Sequence, residues 1–228
     1  MLAAALFAGL PSLARAQVAA SVSVVSEYWL RAFPVSGGKP VAGLNLSYDH
    51  KSGFYAGGSA LAEDTAGGGV KMLGFMEYAG YARRVGRRLT LDGGVFNTDL
   101  ERYAPGRKIP LKYTEAYLGA SWRGLTARAY YSPNYLRDHV STAYLDLSGA
   151  VRPRDRWRLF AHGGVLLPVN DLARASVRRR YDLRAGVARE FSRAEVSLTW
   201  TYTGPPTVRP GAPQPDRGAV LLGGSYFF

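Results

Sequence analysis

The residues GAVLLGGSYFF, 218–228, read as a single β-strand with apolar groups on both faces. Gly218, Val220, Leu222, Gly224, Tyr226 and Phe228 point one way, and Ala219, Leu221, Gly223, Ser225 and Phe227 the other, since side chains alternate across a strand. In a water-soluble sheet such a strand is an edge that templates aggregation. Closing a barrel inside a membrane removes the edge, so this stretch predicts the last strand of a closed transmembrane sheet.

Upstream the same period of two recurs. Val196, Leu198, Trp200 and Tyr202 oppose Glu195, Ser197, Thr199 and Thr201, and Leu89, Leu91, Gly93 and Val95 oppose Thr90, Asp92, Gly94 and Phe96. A helix does not sustain that spacing. About twelve segments follow it, near 18–29, 40–49, 53–62, 70–83, 88–97, 111–122, 125–132, 140–150, 157–167, 180–191, 194–203 and 218–228. Each is close to the roughly 9 to 11 residues that a tilted membrane strand needs. The predicted class is all-β: a transmembrane antiparallel up-and-down barrel of about 12 strands.

Connections test this reading, because such barrels have short periplasmic turns and longer external loops. From a periplasmic N-terminus the long connections fall at 30–39, 63–69, 98–110, 133–139, 168–179 and 204–217, and the short ones at 50–52, 84–87, 123–124, 152–156 and 192–193. The prolines lie in connections or at strand ends, where a missing donor breaks no ladder. Pro205, Pro206, Pro210, Pro213 and Pro215 crowd one loop, expected to be extended and external.

Residues 1–16, MLAAALFAGLPSLARA, are small and apolar and end in Ala14-Arg15-Ala16, a small-x-small cleavage pattern. A signal peptide over 1–16 and a barrel over 17–228 are expected. The chain has no cysteine and no His, Cys and Asp grouping at ligand spacing, so neither disulfide, metal nor cofactor is expected.

The formal charge is +12, yet the basic residues cluster in connections, as at Arg83, Arg84, Arg87 and Arg88, and at Arg152, Arg154 and Arg156. Without an aromatic-plus-basic motif, nucleic acid is not an expected partner. External guanidinium groups suit outer-membrane lipid and the phosphates of lipopolysaccharide, or serve as solvated rim charge. Strand parity sends Glu27, Asp49, Glu77, Asp92, Glu115, Asp146, Asp182, Glu190 and Glu195 into the lumen, with Arg128, Arg158, Arg184 and His162. The same parity turns Tyr55, Tyr81, Tyr113, Tyr117 and Tyr130 inward. A net negative lumen would favour cations mildly, unless the charges pair across neighbouring strands and fill the interior. Twelve strands imply a backbone diameter of roughly 24 Å and a lumen of at most about 10 to 12 Å, enough for ions and small hydrophilic solutes.

Gly223, Tyr226 and Phe228 resemble the C-terminal assembly signal of bacterial outer-membrane barrels, a glycine followed by aromatics at the antepenultimate and last positions. That resemblance implies the barrel assembly machinery as a partner. Leu221 departs from it, standing where a polar residue is usual. SEYWLRAFPVSGGKPVAGLNLSYDHKSGFYAGGSA at 26–60, KYTEAYLGAS at 112–121 and YYSPNY at 130–135 resemble the TorF-type porins, proteobacterial outer-membrane proteins of uncharacterised function. Membership would imply a barrel and a pore with no established substrate. Trp29-Leu30-Arg31-Ala32 replaces a second aromatic-Arg-Gly usual in that family.

Three functions remain open: a porin passing ions or small hydrophilic solutes, a non-conducting barrel whose basic loops bind lipopolysaccharide or a partner, and a lipid-modifying enzyme. For the last, His139 beside Asp138, with Ser132 and Ser141 nearby, is the one grouping in which a base could activate a nucleophile. No catalytic residue is assigned on that basis, and the chain is not expected to be an enzyme.

Overall fold

The computed structural model describes residues 17–31, 33–65, 69–104, 107–204 and 218–228. The expected signal segment 1–16 and the proline-rich stretch 205–217 lie outside the described residues. β1 (Gln17–Val25) leads through a small hairpin, β2 (Trp29–Leu30) and β3 (Phe33–Pro34), into β4 (Val41–Asp49), β5 (Phe54–Thr65) and β6 (Gly69–Val85). Then follow β7 (Leu89–Ala104), β8 (Arg107–Trp122), β9 (Leu125–Ser132), β10 (Thr142–Arg154) and β11 (Trp157–Pro168). Helix α1 (Asp171–Ser176), β12 (Arg180–Glu190), β13 (Ala194–Gly204) and β14 (Gly218–Phe227) complete the order. Apart from the hairpin, every strand pairs antiparallel with its neighbours, and β14 returns to β1 with Ser21 opposite Phe227, closing a twelve-stranded barrel.

The outer wall is apolar, with Val22, Leu44, Leu118, Leu145, Leu198 and Leu222 all exposed. Such a continuous apolar surface belongs in lipid. At its short-turn end stand Tyr48, Phe54, Tyr81, Trp122, Trp157, Phe191, Tyr226 and Phe228, an interfacial aromatic girdle. Tyr226 and Phe228 pack edge to face at 5.4 Å, while Leu221 turns inward and is buried. The connections at this end are two to four residues long. Arg123 and Gly124 make one of the two shortest, both with positive φ (50° and 84°), as a type I′ hairpin turn requires.

Two external connections are shorter than expected. β5 and β6 approach to within residues 66–68, and β7 and β8 to within 105–106, because these strands continue past the apolar band instead of ending in loops at 63–69 and 98–110. Pro110 consequently lies inside β8, opposite Glu101, and Pro153 inside β10. The ladder between β8 and β9 stops at Ala116 and Tyr131, so that edge of β8 has no strand partner farther out and tolerates a proline.

A second departure decides which residues face the lumen. Leu61 stands opposite Gly74 and Ala62 opposite Met72, leaving Leu73 as the extra residue of a β-bulge. Gly74 takes φ 128°, and a Cβ there would strike the Asp99 carbonyl oxygen. The bulge reverses the parity of β6: Val70 and Met72 are exposed above it and Phe75 and Tyr81 below it, while Met76 turns inward and is buried. Glu77 and Tyr81 therefore face outward, not into the lumen as continuous alternation predicts. Tyr81 packs on Phe54 at 5.1 Å, and Glu77 accepts from Asn97 Nδ2 at 3.4 Å on the outer wall.

Candidate functional site

Toward the periplasmic side of the interior, β1, β4, β5 and β13 present Ser21, Ser23, Asn45, Ser47, Ser59 and Ser197. Asn45 ties this small polar wall together, donating to Ser21 Oγ at 3.3 Å and accepting from Ser59 Oγ at 2.8 Å. The external half of the interior is packed instead. Val41, Leu61, Leu73, Met76, Leu100, Leu111 and Leu166 converge there on Tyr28, Leu30 and Val35.

Those last three residues come from the connection 26–40, which folds into the mouth of the barrel. Tyr28, Trp29 and Leu30 are a run of large apolar side chains that gains by leaving water. Val35 N donates to Tyr28 O at 2.8 Å and Tyr28 N to Ser36 Oγ at 2.9 Å, closing the segment on itself. Tyr28 Oη reaches Met76 Sδ at 3.4 Å, Arg184 Nη2 donates to Trp29 O at 2.8 Å, and Arg180 stacks over Phe33 at 4.2 Å.

Arg31 is the centre of this seat. Its backbone has φ 51°, a conformation that costs a non-glycine residue on the order of 1 kcal/mol. Its guanidinium forks onto the Glu115 carboxylate, Nη1 to Oε1 at 2.8 Å and Nη2 to Oε2, with both side chains almost fully buried. Three rings surround it, Tyr144 at 4.0 Å, Tyr130 at 5.2 Å and Tyr113 at 5.7 Å. The fork onto the Glu115 carboxylate offsets the cost of burying the guanidinium charge. Tyr144 reaches across because Gly164 lies beneath its ring, where a Cβ would collide with the hydroxyl.

Most of the interior charge lies on β7 and β9–β13. Asp92 takes Arg128 at 3.0 Å and Tyr55 Oη at 3.2 Å. Glu195 takes Arg158 at 2.6 Å, and Glu190 takes Arg152 at 3.0 Å and Arg158 at 3.6 Å. His162 bridges two carboxylates, Nδ1 to Asp146 at 3.0 Å and Nε2 to Asp182 at 2.9 Å, and Asp182 also accepts from Tyr144 Oη at 3.0 Å. Asp49 occupies the periplasmic end of β4 on the face of Asn45 and Ser47, and Glu27 accepts from Gly38 N at 2.7 Å within the inward segment.

The excess of carboxylates expected from parity thus shrinks. Arg31, Lys39, Arg152 and Arg180 join the interior, against one added acid, Glu63, which Lys39 meets at 3.1 Å. Sequence reasoning missed Arg31 and Lys39 because a loop that re-enters a barrel has no period to reveal it, and Glu63, Arg152 and Arg180 because they stand at strand ends that look like connections. The catalytic candidates are not assembled: Ser132 Oγ donates to Thr114 O at 2.9 Å and Ser141 Oγ to Pro133 O at 3.2 Å, while His139 is held through its backbone N by Asn134 Oδ1 at 2.8 Å.

A closed barrel with an apolar belt, a polar interior and an inward-folded connection defines a porin-like protein of the bacterial outer membrane. The chain belongs to the bacterial family of unknown function Gcw_chp, whose model matches residues 12–210. Its fold is similar to that of the NanC porin, with a TM-score of 0.61 at 11% identity over 91% of this chain and 98% of that one. Looser similarity extends to OmpT, an outer-membrane protein of Vibrio cholerae (0.44, 10%, covering 95% and 100%), and to the anion-selective porin of Comamonas acidovorans (0.36, 10%, covering 95% and 100%). No curated protein matches the sequence.

Proposed function

We propose that the protein is a porin for ions and small hydrophilic solutes whose conduction is throttled at its outer mouth by the segment Tyr28–Ser36. The observation that carries this reading is the position of that segment inside the lumen, anchored by Arg31 on Glu115 above a polar periplasmic vestibule. The likeness to the NanC porin supports a passage through the barrel, and the resemblance to the TorF-type porins agrees with it. No cation preference enters the proposal, because the interior carboxylates are largely paired.

Single-channel recording in planar bilayers tests it. Wild-type protein should give small, infrequent steps, and Arg31→Ala should raise conductance or open probability, as should replacing residues 29–34 by a short glycine-serine linker. The apolar packing of the outer mouth favours a second reading, a non-conducting barrel. Silence of both the wild type and the linker variant would establish that reading and sink the porin.

A further inference from the structure

We propose that the outer wall carries a binding site for the saccharide headgroup of an outer-leaflet glycolipid, bounded by β7, β8 and the connection 133–141. The first observation is a polar ladder where lipid should meet apolar side chains. Glu77, Asn97 and Thr114 stand side by side on β6, β7 and β8, joined by Asn97 Nδ2 to Glu77 Oε2 at 3.4 Å and Thr114 Oγ1 to Asn97 Oδ1 at 2.9 Å. All three share the outward face of Phe75, Val95 and Leu118, which are 48%, 52% and 74% exposed. Glu77 lies four residues beyond Tyr81 of the periplasmic girdle, and a tilted strand rises about 2.5 Å per residue. Thr114, eight residues beyond Trp122 of the same girdle, is roughly 20 Å up an apolar band about 25 Å tall, so the ladder climbs toward its outer edge from Glu77, roughly 10 Å up and well inside it. A carboxylate there costs free energy unless something polar meets it.

The second observation is independent. Directly above the ladder is a cleft of about 440 Å³ whose lining includes Asn97, Asp99, Lys112, Thr114, Asn134 and Arg137. It exists because the β8–β9 ladder ends at Ala116, leaving the outer edge of β8 without a strand partner on that side while the connection bends away. Acids and bases are mixed in it, with Lys112 paired to Asp99 at 2.8 Å, so it presents amides, a hydroxyl and balanced charge instead of a purely cationic surface. That composition suits a hydroxyl-rich, amide-bearing sugar better than a bare phosphate. The upper end of the ladder, Asn97 and Thr114, offers acceptors and donors to the amide and hydroxyl groups at the base of the acyl chains. A site that begins in the apolar band and ends above it fits an amphiphile anchored in the same leaflet.

The test uses the full barrel in nanodiscs with and without a lipid A-type diglucosamine glycolipid, read by native mass spectrometry of retained lipid. Wild-type protein should keep one glycolipid. Asn97→Leu with Glu77→Leu, and separately Asn134→Ala with Lys112→Ala, should each reduce retention about tenfold or more, the size of one or two lost hydrogen bonds to charged groups. The leucine pair should also raise the temperature of the heat-dependent gel shift in glycolipid-free discs, since it removes polar groups from lipid; that readout shows that the variant folds. Retention unchanged in both variants overturns the proposal. So does a wild-type dimer that the leucine pair converts to monomer, which would assign the ladder to a second copy of this chain. Conductance is measured separately, so loss of the glycolipid site and loss of the porin reading are distinguishable.

Discussion

Arg31 shows how one residue can hold a loop inside a barrel. Its guanidinium gives up hydration for one bidentate carboxylate and three aromatic faces, and a buried pair of this kind is costly chiefly when broken. Removing one partner strands the other, at about 3 to 5 kcal/mol, whereas removing both leaves no uncompensated charge. Arg31→Ala and Glu115→Ala should therefore each lower the heat-modification temperature clearly, and the double variant by less than the sum. A coupling of about 2 kcal/mol in that cycle is the expected outcome; strict additivity would mean that the pair is not formed in the membrane. Nothing in the sequence around Trp29-Leu30-Arg31 announces this role, because Tyr28 and Trp29 read as the end of the first strand and Leu30 and Arg31 as the start of an external loop.

At the scale of elements, the bulge on β6 has the widest consequences. One extra residue, Leu73, reverses every side chain between Gly74 and Val85, which puts Glu77 in the outer wall and Met76 inside. Gly74 makes the bulge possible through its φ of 128° and its lack of a Cβ against Asp99 O. Gly74→Ala should cost about 2 kcal/mol or more, seen as a lower heat-modification temperature, while Gly86→Ala, in a turn where a Cβ meets nothing within 4 Å, should cost less. Strand number, direction and most faces were legible beforehand, since alternation over β13 or β7 is a strong local signal. A bulge is invisible to that signal, which counts residues without knowing the partner strand. Strand ends were misplaced for a related reason: a polar residue such as Asp99 looks like loop in sequence but pairs with Lys112 across β7 and β8 at 2.8 Å.

For the whole molecule, the distribution of charge predicts the sign of selectivity. Within the lumen most carboxylates meet a guanidinium, an ammonium or the His162 imidazole, so little net field remains along the pore axis. The periplasmic turns are different: Arg83, Arg84, Arg87, Arg88, Arg154, Arg156 and Arg193 are exposed there, with Asp155 the nearest acid in sequence. A ring of exposed like charges around a mouth concentrates counter-ions by its long-range potential. Anions should therefore be weakly favoured at low salt. Exposed charges act over a Debye length of about 10 Å at 0.1 M salt and about 3 Å at 1 M, so the preference should fade toward zero as salt rises. Reversal potentials across a fixed salt gradient, recorded from dilute to molar salt on the channel formed by the linker variant, measure this directly. Exchange of Arg84, Arg87 and Arg154 for glutamine should abolish the anion bias without changing heat modification. A cation preference that persists at 1 M salt would instead locate selectivity in unpaired lumenal carboxylates, at odds with the ion pairs that line the barrel.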